Sequence, residues 1–358
     1  MMMNLREKYR KSLAMPHRDK LGNGRMKVIG LSEFGGPEVL QSFELPEPRP
    51  EAEEVRLRVH AAGVNPVDAM VRSGQLEQLY QGLTPPFVPG MEVAGTVEEV
   101  GSDVDPRWGL VPGTRVVGFV DNAGRWGGYS EYLALPARSV AIAPSGASAA
   151  ETAGFLNNAL TAQNVLDELG LPEGATLLVT GAAGSVGGYL VELGTAAGLH
   201  VAAVAAEEDA VLLRSLGAHV CIPRGPEIAR RVLKELGTPV DAVADAALLH
   251  EQIVPAVRDG GQIGILRSWD GDPGRGIKVK HLNVRERRTD RAAIVRLRDQ
   301  VEDGTVTLRA AMSFDANDAV AAHTRLEQGG LRERIVLVFD DEVWQPGPSD
   351  TTSLTWKP

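Results

Sequence analysis

The 358-residue sequence has a single cysteine, Cys221. One thiol cannot close an intramolecular disulfide, and the same count excludes a four-cysteine zinc knot. No apolar run approaches the roughly 20 residues that cross a bilayer. Positive charge is in deficit, 37 Lys and Arg against 47 Asp and Glu, for a formal net charge of −10. Nucleic acid and anionic membranes both require a basic surface, so neither is expected as a partner. A buried anionic cofactor is a separate matter, because local groups hold it. The stretch 1–25 carries Arg6, Lys8, Arg10, Lys11, Arg18, Lys20 and Arg25 but lacks the apolar block of a secretory signal. It reads as a mobile extension or upstream translation, with Met26 opening the folded part and the cytoplasm as default location.

What is present is ordinary for a globular chain, at 43% hydrophobic and 23% charged residues. The length allows two domains. Residues 55–61 alternate apolar and polar with period two, the mark of a strand with one wet face. Short strand-like runs follow at 92–100, 114–120 and 129–135, punctuated by Pro89-Gly90, Pro112-Gly113 and Gly127-Gly128. That spacing predicts a compact β-barrel-like domain.

After residue 150 the rhythm changes. Residues 151–169 are helix-forming, and strands then alternate with helices. The strands are expected at 176–180, 201–205, 220–222, 240–244 and 262–266, and the helices at 186–197, 210–216, 227–236 and 250–257. Alternation at this length predicts a parallel doubly wound sheet. From Val284 two helices, 291–301 and 319–326, precede the apolar strand 335–339. A lone strand must pair, and the earlier β region is the available partner. The domains are therefore expected at 26–150 plus 284–340, interrupted by a nucleotide domain at 151–283. The polar, proline-containing stretch 341–358 reads as a disordered tail.

The first strand of the second domain runs into Gly181-Ala182-Ala183-Gly184-Ser185-Val186-Gly187-Gly188. Val186, Leu190, Leu193 and Ala197 then recur at helical spacing. Glycines three apart let the backbone turn sharply and approach a pyrophosphate, whose charge sits on free N–H groups at the helix start. Any tight strand-to-helix turn can carry glycines; the flanking strand and amphipathic helix point to a dinucleotide. Gly181, Ala183, Gly184, Ser185, Val186 and Gly187 are the candidate cofactor-binding residues.

Several motifs occur in one register over residues 26–339: Phe34-Gly35-Gly36-Pro37-Glu38-Val39-Leu40, Ala61-Ala62-Gly63-Val64-Asn65-Pro66-Val67-Asp68, Pro89-Gly90, Gly128-Tyr129-Ser130-Glu131-Tyr132, Leu160-Thr161-Ala162, the glycine turn and Leu216-Gly217-Ala218. With these the chain resembles the zinc-free medium-chain dehydrogenase/reductases of the quinone oxidoreductase (zeta-crystallin-like) family. The resemblance implies an α/β fold, a GroES-like partly open β-barrel domain with an inserted Rossmann domain. It implies an enzyme, a homodimer, with NADPH as hydride donor and NADH still open. The acceptor would be a quinone or the double bond of an α,β-unsaturated carbonyl. It also implies that Asn65 sits beside the nicotinamide end, that Thr161 helps hold that half, and that Gly264, Ile265 and Leu266 offer backbone contacts. Asn65 equally suits a turn before Pro66, and the Thr161 hydroxyl can bond its own helix. Tyr80, Tyr129 and Tyr132 are candidate proton donors beside solvent, or packing residues with a wet tip.

A catalytic zinc wants about three Cys, His or carboxylate ligands. Asn65 and Met91 stand where zinc-dependent relatives have ligands, and Cys221 lies between Val220 and Ile222 in an expected buried strand. No metal is expected. Three departures from the family limit the transfer. Glu207-Glu208-Asp209 follows the second strand, with Asp209 where a lysine is common, and would repel the 2′-phosphate of NADP. Arg224, Arg332 and Arg334 are candidates to supply the missing cation, or are solvated surface charges. The loop 75–83 is longer than usual, and Asn157, Asn158 and Gln163 replace apolar or aromatic residues. They suit a hydrogen-bonding substrate or a wetter wall. Three other readings stay open: an enoyl reductase, a redox-neutral tailoring enzyme on a biosynthetic intermediate, and a non-catalytic nucleotide-binding relative.

Overall fold

The computed structural model describes residues 21–123, 126–340, 344 and 355–356. The expected extension over 1–20 and most of the expected tail lie outside the described residues. The chain divides into two units, Met1–Asn157 with Arg288–Glu302 and Leu308–Pro358, and Asn158–Arg287 with Asp303–Thr307.

The first unit opens with β1 (Leu21–Gly30), ahead of the expected start at Met26, paired antiparallel with β2 (Gln41–Pro48). β3 (Glu54–Gly63) buries its apolar residues and keeps Arg56 and Arg58 half-exposed, as the period-two pattern requires, but His60, the next polar position, is buried and ends the alternation. A short helix, α1 (Pro66–Arg72), follows, its φ preset by Pro66 at the first position. Next come β4 (Glu92–Val100), β5 (Arg115–Phe119), β6 (Tyr132–Pro136), β7 (Val140–Ile142) and α2 (Ala149–Ala153). α2 begins with a capping box: Ser148 Oγ accepts from Glu151 N at 3.2 Å, and the Glu151 carboxylate accepts from Ser148 N at 2.9 Å.

The second unit is entered along α3 (Leu156–Leu169). It continues β8 (Thr176–Thr180), α4 (Ser185–Ala196), β9 (His200–Ala205), α5 (Ala210–Ser215), β10 (Val220–Pro223), α6 (Ile228–Leu236), β11 (Val240–Asp245), β12 (Val257–Ile265) and β13 (Lys278–His281). All pairings are parallel, in the order β10-β9-β8-β11-β12-β13. Numbered from β8, this is the 3-2-1-4-5-6 order of dinucleotide folds, with β8 and β11 flanking the point where the order reverses. Both central strands are nearly wholly buried, which is why they read as continuous apolar runs.

Two expectations fail here. The helix expected at 250–257 is replaced by two single 3₁₀ turns, His250–Gln252 and Val254–Ala256. Pro255 has no N–H to give and its ring clashes with the preceding turn, so no α-helix can run through it. Cys221 lies on the edge strand β10 and is half-buried, its thiol 3.7 Å from Ala210 O, rather than in a buried strand.

The chain then adds α7 (Arg291–Glu302), β14 (Leu308–Arg309), β15 (Ala311–Asp315), α8 (Ala319–Glu327), β16 (Arg334–Val338) and β17 (Thr355–Trp356), which pairs with β14. β16 finds its partner in the first β region, pairing Val336 with Gly63 and Leu337 with Ala62 on β3. The resulting seven-stranded sheet runs β15-β16-β3-β4-β5-β7. One edge of β3 is divided between β6, over Glu54–Arg58, and β16, over Ala61–Gly63. Val28, Leu57, Val59, Val97, Val116, Leu133 and Leu337 fill the core of this unit. Among the described residues no helix is long and apolar enough to cross a membrane.

Candidate active site

The glycine turn leaves β8 at the carboxyl edge of the parallel sheet. Gly181 has φ of 60°, a conformation that disfavours a side chain. Gly187 is fixed by space: a Cβ there would lie 2.2 Å from Gly181 O and 2.7 Å from Ala182 Cα. The N-cap of α4 is Gly184, which has no side chain to satisfy the first-turn N–H groups. A tight turn, a close backbone approach and an uncapped helix start together make the cradle a pyrophosphate requires.

A buried latch steadies this turn. Thr180 Oγ1 donates to Asp245 Oδ1 at 2.6 Å and accepts from Ala247 N at 2.9 Å. Asp245, fully buried at the end of β11, also accepts from Leu249 N at 3.0 Å and His250 N at 2.8 Å. The ends of β8 and β11 are thereby tied across the switch point. Gly264 and Ile265 end β12 in the same unit, with Ile265 buried and Leu266 half-buried after it. Thr161 is half-buried on α3. Arg224 is exposed directly after β10, its backbone N 2.6 Å from Ala205 O. Glu207 and Glu208 are exposed too, whereas Asp209 is buried and its carboxylate accepts from Ala206 N at 3.3 Å.

In the first unit Asn65 is buried at the N-cap of α1. Nδ2 donates to Glu92 Oε1 at 2.9 Å, and Oδ1 accepts from Arg334 Nη2 at 2.8 Å. Glu92 is fully buried, with Arg334 Nη2 at 3.1 Å from Oε1 and Asn157 N donating to Oε2 at 2.8 Å. Burial pushes its carboxyl above the ordinary range; the Arg334 guanidinium, then the Asn65 and Asn157 donors, pull it part of the way back. Arg334 Nε donates to Gly154 O at 2.7 Å. The turn-residue reading of Asn65 thus accounts for its backbone and leaves its carboxamide for this cluster.

This corrects the assignment of Arg334. It is a buried partner of Glu92 and Asn65, not a surface cation for a phosphate. Arg332 is half-buried, with Nη1 3.3 Å from Leu331 O. Tyr80 is a second correction. Its hydroxyl is buried and donates to Asn122 O at 3.0 Å while its ring packs on Phe87, so it is a packing residue rather than a proton donor. Tyr129 is fully buried, and Tyr132 is half-buried with the Arg56 guanidinium 5.6 Å from its ring centre. Among the described residues no group of three or more His, Cys, Asp or Glu side chains is placed to hold a metal ion.

Residues 51–145 match the alcohol dehydrogenase GroES-like domain family. An Arabidopsis thaliana chloroplast envelope quinone oxidoreductase homolog is 31% identical over 229 residues, 62% of this chain and 68% of that protein. The chain belongs to the quinone oxidoreductase family of medium-chain dehydrogenase/reductases. A second Arabidopsis thaliana relative, an NADPH-dependent alkenal/one oxidoreductase of the chloroplast, is 31% identical over 257 residues, 70% of this chain and 64% of that one. Among solved structures a mycobacterial quinone oxidoreductase aligns over 88% of the chain and all of its own length, with a TM-score of 0.72 and 27% identity. The chain is accordingly an oxidoreductase of the GroES-like plus Rossmann architecture.

Proposed function

We propose that the protein transfers a hydride from NADPH to a quinone or an α,β-unsaturated carbonyl, without a metal. The observation that carries this reading is the glycine cradle, where Gly187 admits no Cβ and Gly184 leaves the start of α4 uncapped. These residues fit a dinucleotide pyrophosphate on backbone N–H groups. The reduced nicotinamide, when bound, supplies the hydride. The protein's own contribution is position and exclusion of water. Asn65 is assigned to orienting the reacting groups, because Glu92 and Arg334 hold both ends of its carboxamide. Gly264, Ile265 and Leu266 are assigned to the wall of the nicotinamide half, and Thr161 to a polar contact there.

Asn65 and Met91 are poor zinc ligands, and the Arg334 guanidinium 2.8 Å from Asn65 Oδ1 would repel a divalent ion. This supports metal-free chemistry. Enone reduction places the hydride on the β-carbon and a proton on the α-carbon; we assign that proton to water, since the Tyr80 and Tyr129 hydroxyls are engaged internally. For cofactor choice, the buried Asp209 carboxylate bonds to backbone, so Glu207 and Glu208 are the acidic groups to be offset, with Arg224 as the cation. A homodimer is the proposed functional form; sedimentation at the monomer mass would contradict it.

The test follows nicotinamide absorbance while NADPH and NADH are each offered with a panel of quinones and enals. Oxidation of NADPH by at least one acceptor is expected. Cofactor binding with no oxidation by any acceptor would favour a non-catalytic relative. Arg224→Ala should raise the NADPH dissociation constant about tenfold, the worth of roughly one charge-assisted hydrogen bond, and leave NADH unchanged. An unchanged NADPH affinity removes Arg224 from the phosphate site.

A further inference from the structure

Asp68 is fully buried and lies at the third position of α1. Its Oδ2 accepts from Asn65 N at 2.8 Å and its Oδ1 from Gly90 N at 2.9 Å. The Tyr129 hydroxyl is hydrogen-bonded to the same carboxylate. Behind Tyr129 stands His323 of α8, with Nε2 3.0 Å from the phenol oxygen and the two rings edge to face at 5.8 Å. Gly90, at φ 101°, lets the Pro89-Gly90 turn press on this group: a Cβ there would come within 2.8 Å of the Tyr129 ring.

The chemistry fixes the direction of every proton. An ionised carboxylate only accepts, so the phenol donates to Asp68. The phenol oxygen must then accept from His323, so Nε2 carries the ring proton. Nδ1 is left as a bare lone pair, and it is buried without a hydrogen-bond partner among the described residues. Burial first, and the Arg72 charge second, push protonation of this ring down to about 3, so it stays neutral. Burial and then the Asp68 charge push the Tyr129 phenol well above its ordinary range, so it keeps its proton. His323 donates to the Tyr129 oxygen and Tyr129 donates to Asp68, two bonds that strengthen each other, while the Asn65 and Gly90 N–H groups donate to the same carboxylate from their own side.

We infer that Tyr129 and His323 are positioning residues for Asn65, acting through the Asp68 carboxylate. The inference rests on the role proposed above for Asn65. Glu92 and Arg334 hold its carboxamide; Asp68 holds its backbone, and Tyr129 sets where that carboxylate sits. Deleting the phenol oxygen leaves Asp68 short of a donor and frees the charge to move with the Asn65 turn. Such a misplacement lowers turnover without touching a ligand.

The test uses the full chain with Tyr129→Phe, His323→Leu and His323→Gln, the last retaining an N–H donor. With asparagine-selective ¹⁵N labelling, the Asn65 backbone amide, the group that donates to Asp68, is assigned by its loss in Asn65→Asp. Its hydrogen exchange is then expected to quicken at least about tenfold in Tyr129→Phe and in His323→Leu, and to be restored in His323→Gln. In turnover with NADPH, kcat falls about tenfold in Tyr129→Phe while the acceptor KM stays within about twofold. Unchanged Asn65 exchange in both Tyr129→Phe and His323→Leu overturns the inference, as does a change in acceptor KM alone. If Tyr129→Phe does not fold, the two His323 variants carry the same comparison. A wild-type protein that oxidises NADPH with no acceptor defeats the functional reading, while the exchange data still decide the coupling.

Discussion

Replacing His323 with glutamine should change how stability depends on pH more than it changes stability itself. His323 is fully buried, and a folded value near 3 against the ordinary 6.5 means that the folded state refuses a proton the unfolded chain accepts. The contribution is complete above pH 6.5 and is lost as the pH falls toward 3. Each pH unit below 6.5 costs about 1.4 kcal/mol, so pH 5 removes roughly 2 kcal/mol and pH 3 roughly 5. Glutamine keeps an N–H for the Tyr129 oxygen and does not titrate. Urea unfolding of wild type and His323→Gln at pH 7 and pH 5 isolates this term, because other titrating groups are common to both proteins. The wild-type advantage measured at pH 7 should shrink by about 2 kcal/mol at pH 5. An advantage unchanged between the two pH values would refute the buried neutral imidazole.

Further perturbations probe the other parts of the site. Gly187→Ala drives a Cβ to 2.2 Å from Gly181 O; a loss of roughly 3 kcal/mol in urea unfolding and at least about tenfold weaker NADPH binding by fluorescence are expected. Arg334→Leu leaves the Glu92 carboxylate buried without its cation and should cost about 3–5 kcal/mol; Glu92→Leu with Arg334→Leu should recover most of it, and simple addition of two losses would contradict the ion-pair account. Thr180→Val removes a buried donor from Asp245 and should cost about 1.5–3 kcal/mol, with weaker cofactor binding as the turn loosens; stability unchanged would show that the latch is not strained by the loss.

The large-scale plan was readable because its signals are local. The period-two pattern of residues 55–61, followed by burial as far as Val59, the alternation of strands and helices after residue 150, and a lone apolar strand near the end of the chain each have one good physical solution. The glycine turn is equally local, since its requirements fall within a single strand, turn and helix. What was not readable is contact at long range. Arg334 introduces an apolar strand, and from sequence it passes for a surface charge. Its partner Glu92 lies 242 positions away and opens a strand of its own, and no periodicity links the two. Asp68, Tyr129 and His323 share that difficulty: the Tyr129 and His323 side chains meet across 194 positions. A charged or ring-nitrogen residue inside an otherwise apolar run was the one available signal. Pro255 was the opposite case, a local cue that outweighed the helical pattern around it.

The central claim is that a hydride leaves NADPH and arrives on a carbon of the acceptor. NADPH deuterated at the transferable position of nicotinamide C4, incubated with the protein and an α,β-unsaturated aldehyde, tests it by mass spectrometry and NMR of the product. The account predicts a saturated product carrying one deuterium at the β-carbon, with α-hydrogen drawn from water and no change when a chelator is present. Consumption of NADPH without deuterium in the product, or turnover abolished by the chelator, would contradict it.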